Sequence, residues 1–218
     1  MFNRCYVANT DWTIDMDLHK QELSWHSFHC KYVGRIESAS GYGSFLRNTH
    51  EIRKYLEDVI RRYAIRSMND IPCGDWNWMR HVDIGDVDYM GCDIVPDIIE
   101  ANQAKYPNHR FEVFNAVRQI PRKADLLLCR DFLFHLPDEW ILKVLGNFKS
   151  SGCRYLLTTT FPAIRSNSDL DVPIEKGIGY RPMNLQISPF NMGDPLESVR
   201  ENTECNFRHV ALFLNESE

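Results

Sequence analysis

The sequence is short of the features that mark several large function classes. No run of residues approaches the roughly 18 consecutive apolar positions that a membrane-crossing helix needs. The opening stretch, MFNRCYVANTDWTID, lacks the continuous apolar core of a secretory leader. The seven cysteines form no CxxC pair and no regular spacing, a pattern expected of reduced thiols in a cytoplasm. His26, His29 and Cys30 lie close together, but nothing else completes a zinc spacing, so no metal is expected. Basic charge is also scarce. With 25 Lys+Arg against 30 Asp+Glu the net charge is −5, which argues against a nucleic-acid or membrane-surface partner. There is no internal repeat and no low-complexity tract.

What is present points to one globular domain. A chain of 218 residues, 44% hydrophobic and 12% aromatic, can bury a sizeable core. The acidity is local: residues 70–100 hold eight acids and a single base, Arg80. Residues 1–47 have mixed pattern and read as an N-terminal cap or lid, leaving 48–218 as the main domain.

Within that domain, helical and strand patterns alternate. Asn48, with Glu51 three residues later, suggests a capping box for a helix over 49–64. Strands are expected at Ser67–Ile71, Asp88–Ile94, Phe111–Asn115, Asp125–Cys129, Tyr155–Thr160 and Val210–Leu214, with one more near Leu185–Ser188 in the long loop region 162–205. Pro96 at a first helical position opens a helix to Lys105, and a second runs over Pro137–Lys149. This order implies an α/β fold with a mostly parallel sheet covered on both faces. Ligands of such sheets bind at the carboxyl ends of the strands.

Those ends carry polar chemistry. The first strand runs into a turn with one glycine, Gly74, followed at once by Asp75. The G-x-G-x-x-G turn of a dinucleotide site is absent, and a carboxylate here favours a ligand with a cationic group. Trp78 could face such a cation. Asp93 ends the second strand, where an acid can accept both hydroxyls of a ribose. Asn115 could bind an adenine edge. After the fourth strand come Arg130, Asp131 and His135; either Asp131 or His135 could act as general base, or serve to cap and position. Arg165, Asn167, Asp169, Arg181 and Asn184 reach the same rim in the loop region and could hold an acceptor.

Six segments in order match a pattern: Glu37–Ser44 (ESASGYGS), Asp70–Met79 (DIPCGDWNWM), Tyr89–Val95, Cys129–Leu136 (CRDFLFHL), Tyr155–Phe161 and Arg181–Phe190. Over about residues 35–214 the chain resembles the class I S-adenosylmethionine-dependent methyltransferases, and in particular a small bacterial-type subfamily. The resemblance implies a Rossmann-like seven-stranded fold with an N-terminal cap, S-adenosylmethionine as donor and S-adenosylhomocysteine as product. Carried over by position, Cys73, Gly74, Asp75, Trp78, Asp93, Ile94, Asn115 and Arg130 would line the donor site. Asn115 stands where an Asp is usual. Asp131 and His135 would be catalytic, and Ser38, Ser40, Ser44, Arg165, Asn167 and Arg181 would face the acceptor. The acceptor is expected to be a small molecule or glycan, methylated on oxygen. The competing expectations are a catalytically silent binding protein and an NAD-dependent dehydrogenase on a related fold.

Overall fold

In the computed structural model the described residues are 12–170, 179–201 and 208–215. They form helix α1 (Trp12–Tyr32), helix α2 (His50–Arg62) and strand β1 (Ser67–Asp70). Strand β2 (Asp88–Asp93), helix α3 (Pro96–Lys105), strand β3 (Arg110–Val113) and strand β4 (Leu126–Cys129) follow. Helix α4 (Asp138–Ser150) and strands β5 (Tyr155–Thr160), β6 (Glu197–Arg200) and β7 (His209–Leu214) complete the order. The seven strands form one sheet in the order β3-β2-β1-β4-β5-β7-β6. The first five are parallel; β7 runs antiparallel to β5 and to β6. Among the described residues no helix is long and apolar enough to cross a membrane.

The central strands are buried on both faces, as parallel strands between helical layers must be. Successive side chains of β4 point to opposite sides. Leu126 and Leu128 join a core with Ile52, Leu56 and Val59 of α2 and Ile99 of α3. Leu127 and Cys129 join the opposite core, with Trp140, Ile141, Val144 and Phe148 of α4. The start of the sheet is tied laterally by Asp125, whose carboxylate accepts from the Arg66 and Ser67 amides at 2.8 and 3.0 Å.

Three expectations need correction. The stretch Leu185–Ser188 is turn and irregular structure, not a strand; its backbone is taken up locally, with the Leu185 amide on Thr160 Oγ1 at 3.0 Å. The missing strand is β6, a polar ESVR segment on the sheet edge that alternates partly buried and exposed positions. At the start of α2 the N-cap is Thr49, with no side-chain cap bond. Asn48 instead donates its amide to the Tyr42 carbonyl at 2.8 Å.

Candidate functional site

A cavity of about 280 Å³ opens at the carboxyl ends of β1, β2 and β4. Its floor is built by the turns that follow these strands, and its roof by α1 and the 39–44 segment.

The turn after β1 is shaped by Gly74, whose φ of +55° is the left-handed region that favours glycine. A Cβ there would lie 2.2 Å from Ser40 Oγ, so the approach of the roof to the turn also requires glycine. The Gly74 amide donates to Asp93 Oδ2 at 3.0 Å, and the Val95 amide to Asp93 Oδ1 at 3.0 Å. Each carboxylate oxygen thus takes one of these bonds, the Ile94 amide adds its pull, and lone-pair capacity remains for a further donor. Burial pushes the Asp93 carboxyl up to about 6, against the pull of those amides. Beneath it, burial lifts Asp70 to about 7, although Tyr89 donates its hydroxyl to it at 2.7 Å. Burial also drives the Cys73 thiol well above its ordinary range, which leaves it a protonated wall group.

Asp75 does not line the cavity. Its carboxylate accepts from Ser38 Oγ at 2.8 Å, the Ala39 amide at 2.7 Å and Ser40 Oγ at 3.3 Å, and so pins the roof segment. Trp78 does line the cavity, with the Arg130 guanidinium over its ring at 5.5 Å. Ile94, Ser40 and Ser44 are wall residues; Ser38 is buried behind them. Asn115 lies away from the cavity: its amide donates to Glu22 Oε1 at 2.9 Å and its carbonyl accepts from the Val117 amide at 3.0 Å.

At the end of β4 four charged side chains close on one another. Arg130 pairs with Asp131 at 3.1 Å and with Glu201 at 2.9 Å. Arg208 pairs with Asp131 at 2.8 Å and with Glu201 at 2.7 Å. Asp131 has a φ of +55°, and its amide donates to Thr159 Oγ1 at 3.0 Å. Burial would raise the Asp131 carboxyl, but Arg130 and Arg208 hold it below the usual carboxylate range. Asp131 is therefore an ionised but weak base. The roof comes close here too, since a Cβ on Gly43 would meet Asp131 Oδ2 at 2.8 Å.

His135 also lines the cavity. Its Nδ1 faces the Gly179 carbonyl, which only accepts, so Nδ1 carries the proton. Nε2 is then a bare acceptor, with no hydrogen-bond partner among the described residues. Burial lowers the imidazole pKa despite the Gly179 carbonyl and Asp131, so the ring is neutral near pH 7.

The loop-region residues hold the loop itself. Arg181 donates to the Ser168 and Leu136 carbonyls at 2.7 and 2.6 Å and pairs with Asp138. Asn167 bridges the Asn184 and Ser188 carbonyls at 2.8 and 2.9 Å. Arg165 is exposed. None of the three lines the cavity.

Several wall residues carried no sequence signal. Trp25 and Phe28 come from α1 and Arg208 from the approach to β7; His29, weighed in the sequence only for a zinc spacing, joins them in the wall, and only the fold brings them near. Phe132 and Phe134 lie inside the CRDFLFHL segment but read there as ordinary core. His26, Cys30 and Asp97, where α1 meets α3, bring ligand atoms within 4.8 Å of one another.

No protein-family profile matches the chain. No curated protein matches it in sequence. Solved structures do match in fold. The magnesium protoporphyrin IX methyltransferase of Synechocystis PCC 6803 with bound SAM is similar at TM-score 0.62 and 15% identity, over 96% of this chain and 99% of that one. The 1,6-didemethyltoxoflavin-N1-methyltransferase of Burkholderia thailandensis, with its named substrate and S-adenosylhomocysteine bound, gives 0.59 and 10%, over 98% and 94%. The N-methyltransferase NodS of Bradyrhizobium japonicum WM9, with S-adenosylhomocysteine, gives 0.54 and 12%, over 76% and 86%. The seven-stranded α/β fold of this chain is thus the Rossmann-like fold of these methyltransferases.

Proposed function

We propose that the protein is an S-adenosylmethionine-dependent methyltransferase that methylates an oxygen of a small-molecule acceptor. The observation that carries the reading is Asp93. It stands at the end of β2 in the cavity wall, with both oxygens oriented by the Gly74 and Val95 amides and with lone-pair capacity left for a hydroxyl. That is the acceptor pair a ribose diol asks for. The tight Gly74 turn, where no Cβ fits, lets backbone come close to the ligand. The fold-likeness to structures holding SAM or S-adenosylhomocysteine agrees with it.

When bound, the donor supplies a methyl carbon on a sulfonium leaving group. The chain's own contribution is alignment and proton transfer. Asp93 would hold the sugar hydroxyls, and Gly74 and Ile94 would line the wall beside it. His135 Nε2 takes the acceptor proton, its orientation held by Nδ1 on Gly179. Asp131, ionised and locked between two arginines, shapes the wall and steadies any positive charge that develops on His135.

Calorimetry with S-adenosylhomocysteine tests the reading. Binding should weaken as pH falls through about 6, where Asp93 takes up its proton. Asp93→Ala should lower affinity about tenfold or more, the loss of two hydrogen bonds to a charged acceptor. Absence of binding to the wild-type chain would overturn it.

A further inference from the structure

We infer that the acceptor is a planar aromatic molecule bearing a hydroxyl, a phenol and not a sugar; this rests on the methyltransferase reading above. One end of the cavity is walled by rings. Trp25 sits 6.4 Å from Phe132, 5.4 Å from His135 and 6.2 Å from Phe28, centroid to centroid. Phe134 lies 4.4 Å from His135, its ring tilted by 59°. All five line the cavity, and Trp25, Phe28 and Phe132 are only partly buried, so ring surface remains for a ligand to cover.

The polar inventory of this end decides between ligand classes. A sugar brings several hydroxyls, and each that is buried without a partner costs free energy. Yet the charged side chains here are already committed. Arg130, Asp131, Arg208 and Glu201 pair among themselves. The nitrogens left to meet polar atoms are His135 Nε2 and the buried His29 Nδ1 and Arg208 Nη2, which have no partner among the described residues. A flat apolar body with a hydroxyl and one or two further polar atoms matches that supply better than a ring of hydroxyls, and it gains the contact that aromatic walls give.

Proton chemistry points the same way. A neutral imidazole whose basicity burial has reduced is poorly matched to an aliphatic hydroxyl. A phenol, with acidity near that of tyrosine at about 10, is several units closer. In the balanced step the phenol oxygen forms its bond to the methyl carbon while its proton passes to His135 Nε2. The carbon–sulfur bond breaks with its electron pair going to sulfur, leaving a neutral thioether.

The test measures transfer of labelled methyl from S-adenosylmethionine to 4-nitrophenol, catechol and 2-naphthol, and to methyl glucoside, rhamnose and cellobiose. Binding of the same six to the chain saturated with S-adenosylhomocysteine is followed by ligand NMR. The expected result is transfer to at least one phenol and binding of phenols alone. Trp25→Leu, which keeps an apolar side chain against its neighbours, should raise the phenol KM about tenfold, with its melting temperature as the folding control. Transfer to a sugar, or donor binding with no phenol bound, overturns the inference while leaving the methyltransferase reading intact. Failure to bind S-adenosylhomocysteine overturns both.

Discussion

The Asp75 carboxylate lies 2.8 Å from the hydroxyl of Ser38, thirty-seven positions earlier in the chain. Together with the Ala39 amide and Ser40 Oγ, this contact turns an acid at a strand end into a clasp between the β1 turn and the cavity roof. A carboxylate can accept all of these bonds at once; an amide cannot, because half of its polar surface donates. Asp75→Asn should therefore destabilise the chain by about 1–3 kcal/mol, the cost of leaving buried donors unpaired. Urea denaturation of the two chains measures it. Equal midpoints would mean the clasp contributes nothing.

His135 gives a prediction about rate and pH. The base must be neutral to accept a proton, and burial holds its pKa below 6.5. With the favoured acceptor, kcat should rise with pH on the acid side with its midpoint below 6.5. His135→Gln should reduce kcat about 10²–10⁴-fold while the donor dissociation constant stays put. A midpoint above pH 6.5 would assign the proton transfer to another group.

Asp70 gives a prediction about stability. Its carboxyl is raised to about 7 in the fold, burial outweighing the Tyr89 bond. Between roughly pH 4 and 7 the folded chain therefore binds more protons at this site than the unfolded chain does. The site's contribution is fully present below about pH 4 and is lost as pH rises to 7. Asp70→Asn keeps an acceptor for Tyr89 and removes the titration. At pH 8 it should stabilise the chain by about 1–3 kcal/mol, with the gain shrinking toward pH 5. Urea midpoints at the two pH values decide, and a variant weaker than wild type at pH 8 would contradict the assignment.

The fold is legible where burial and period agree. The run of β4 is a continuous apolar stretch that suits a strand buried on both faces, β5 (YLLTTT) joins apolar and β-branched residues, and Pro96 marks the start of α3 to the residue. Legibility ends where a strand needs no apolar run. β6, on the sheet edge, buries little, whereas Leu185–Ser188 (LQIS) alternates as a strand would but is held by side chains such as Asn167, which donates to the Ser188 carbonyl. The same division runs through the site. Motif order brings Gly74, Asp93, Arg130, Asp131 and His135 to one cavity, because each follows directly from a strand end. It does not reveal that Asp75, Asn115 and Arg181 have intramolecular partners. The most distant of those partners, Ser38, Glu22 and Leu136, lie 37, 93 and 45 positions away, and spacing along the chain carries no record of them.

The roof of the cavity and its floor belong to separate stretches of chain, residues 25–44 above and the strand-end turns below. Any molecule that touches both acts as a rivet. Whatever free energy it gains from the upper wall is the free energy by which it resists the lifting of α1 from the sheet. The supply of ligand then sets the lifetime of the closed form, and proteolysis of the 33–41 connection becomes a gauge of how full the cavity is.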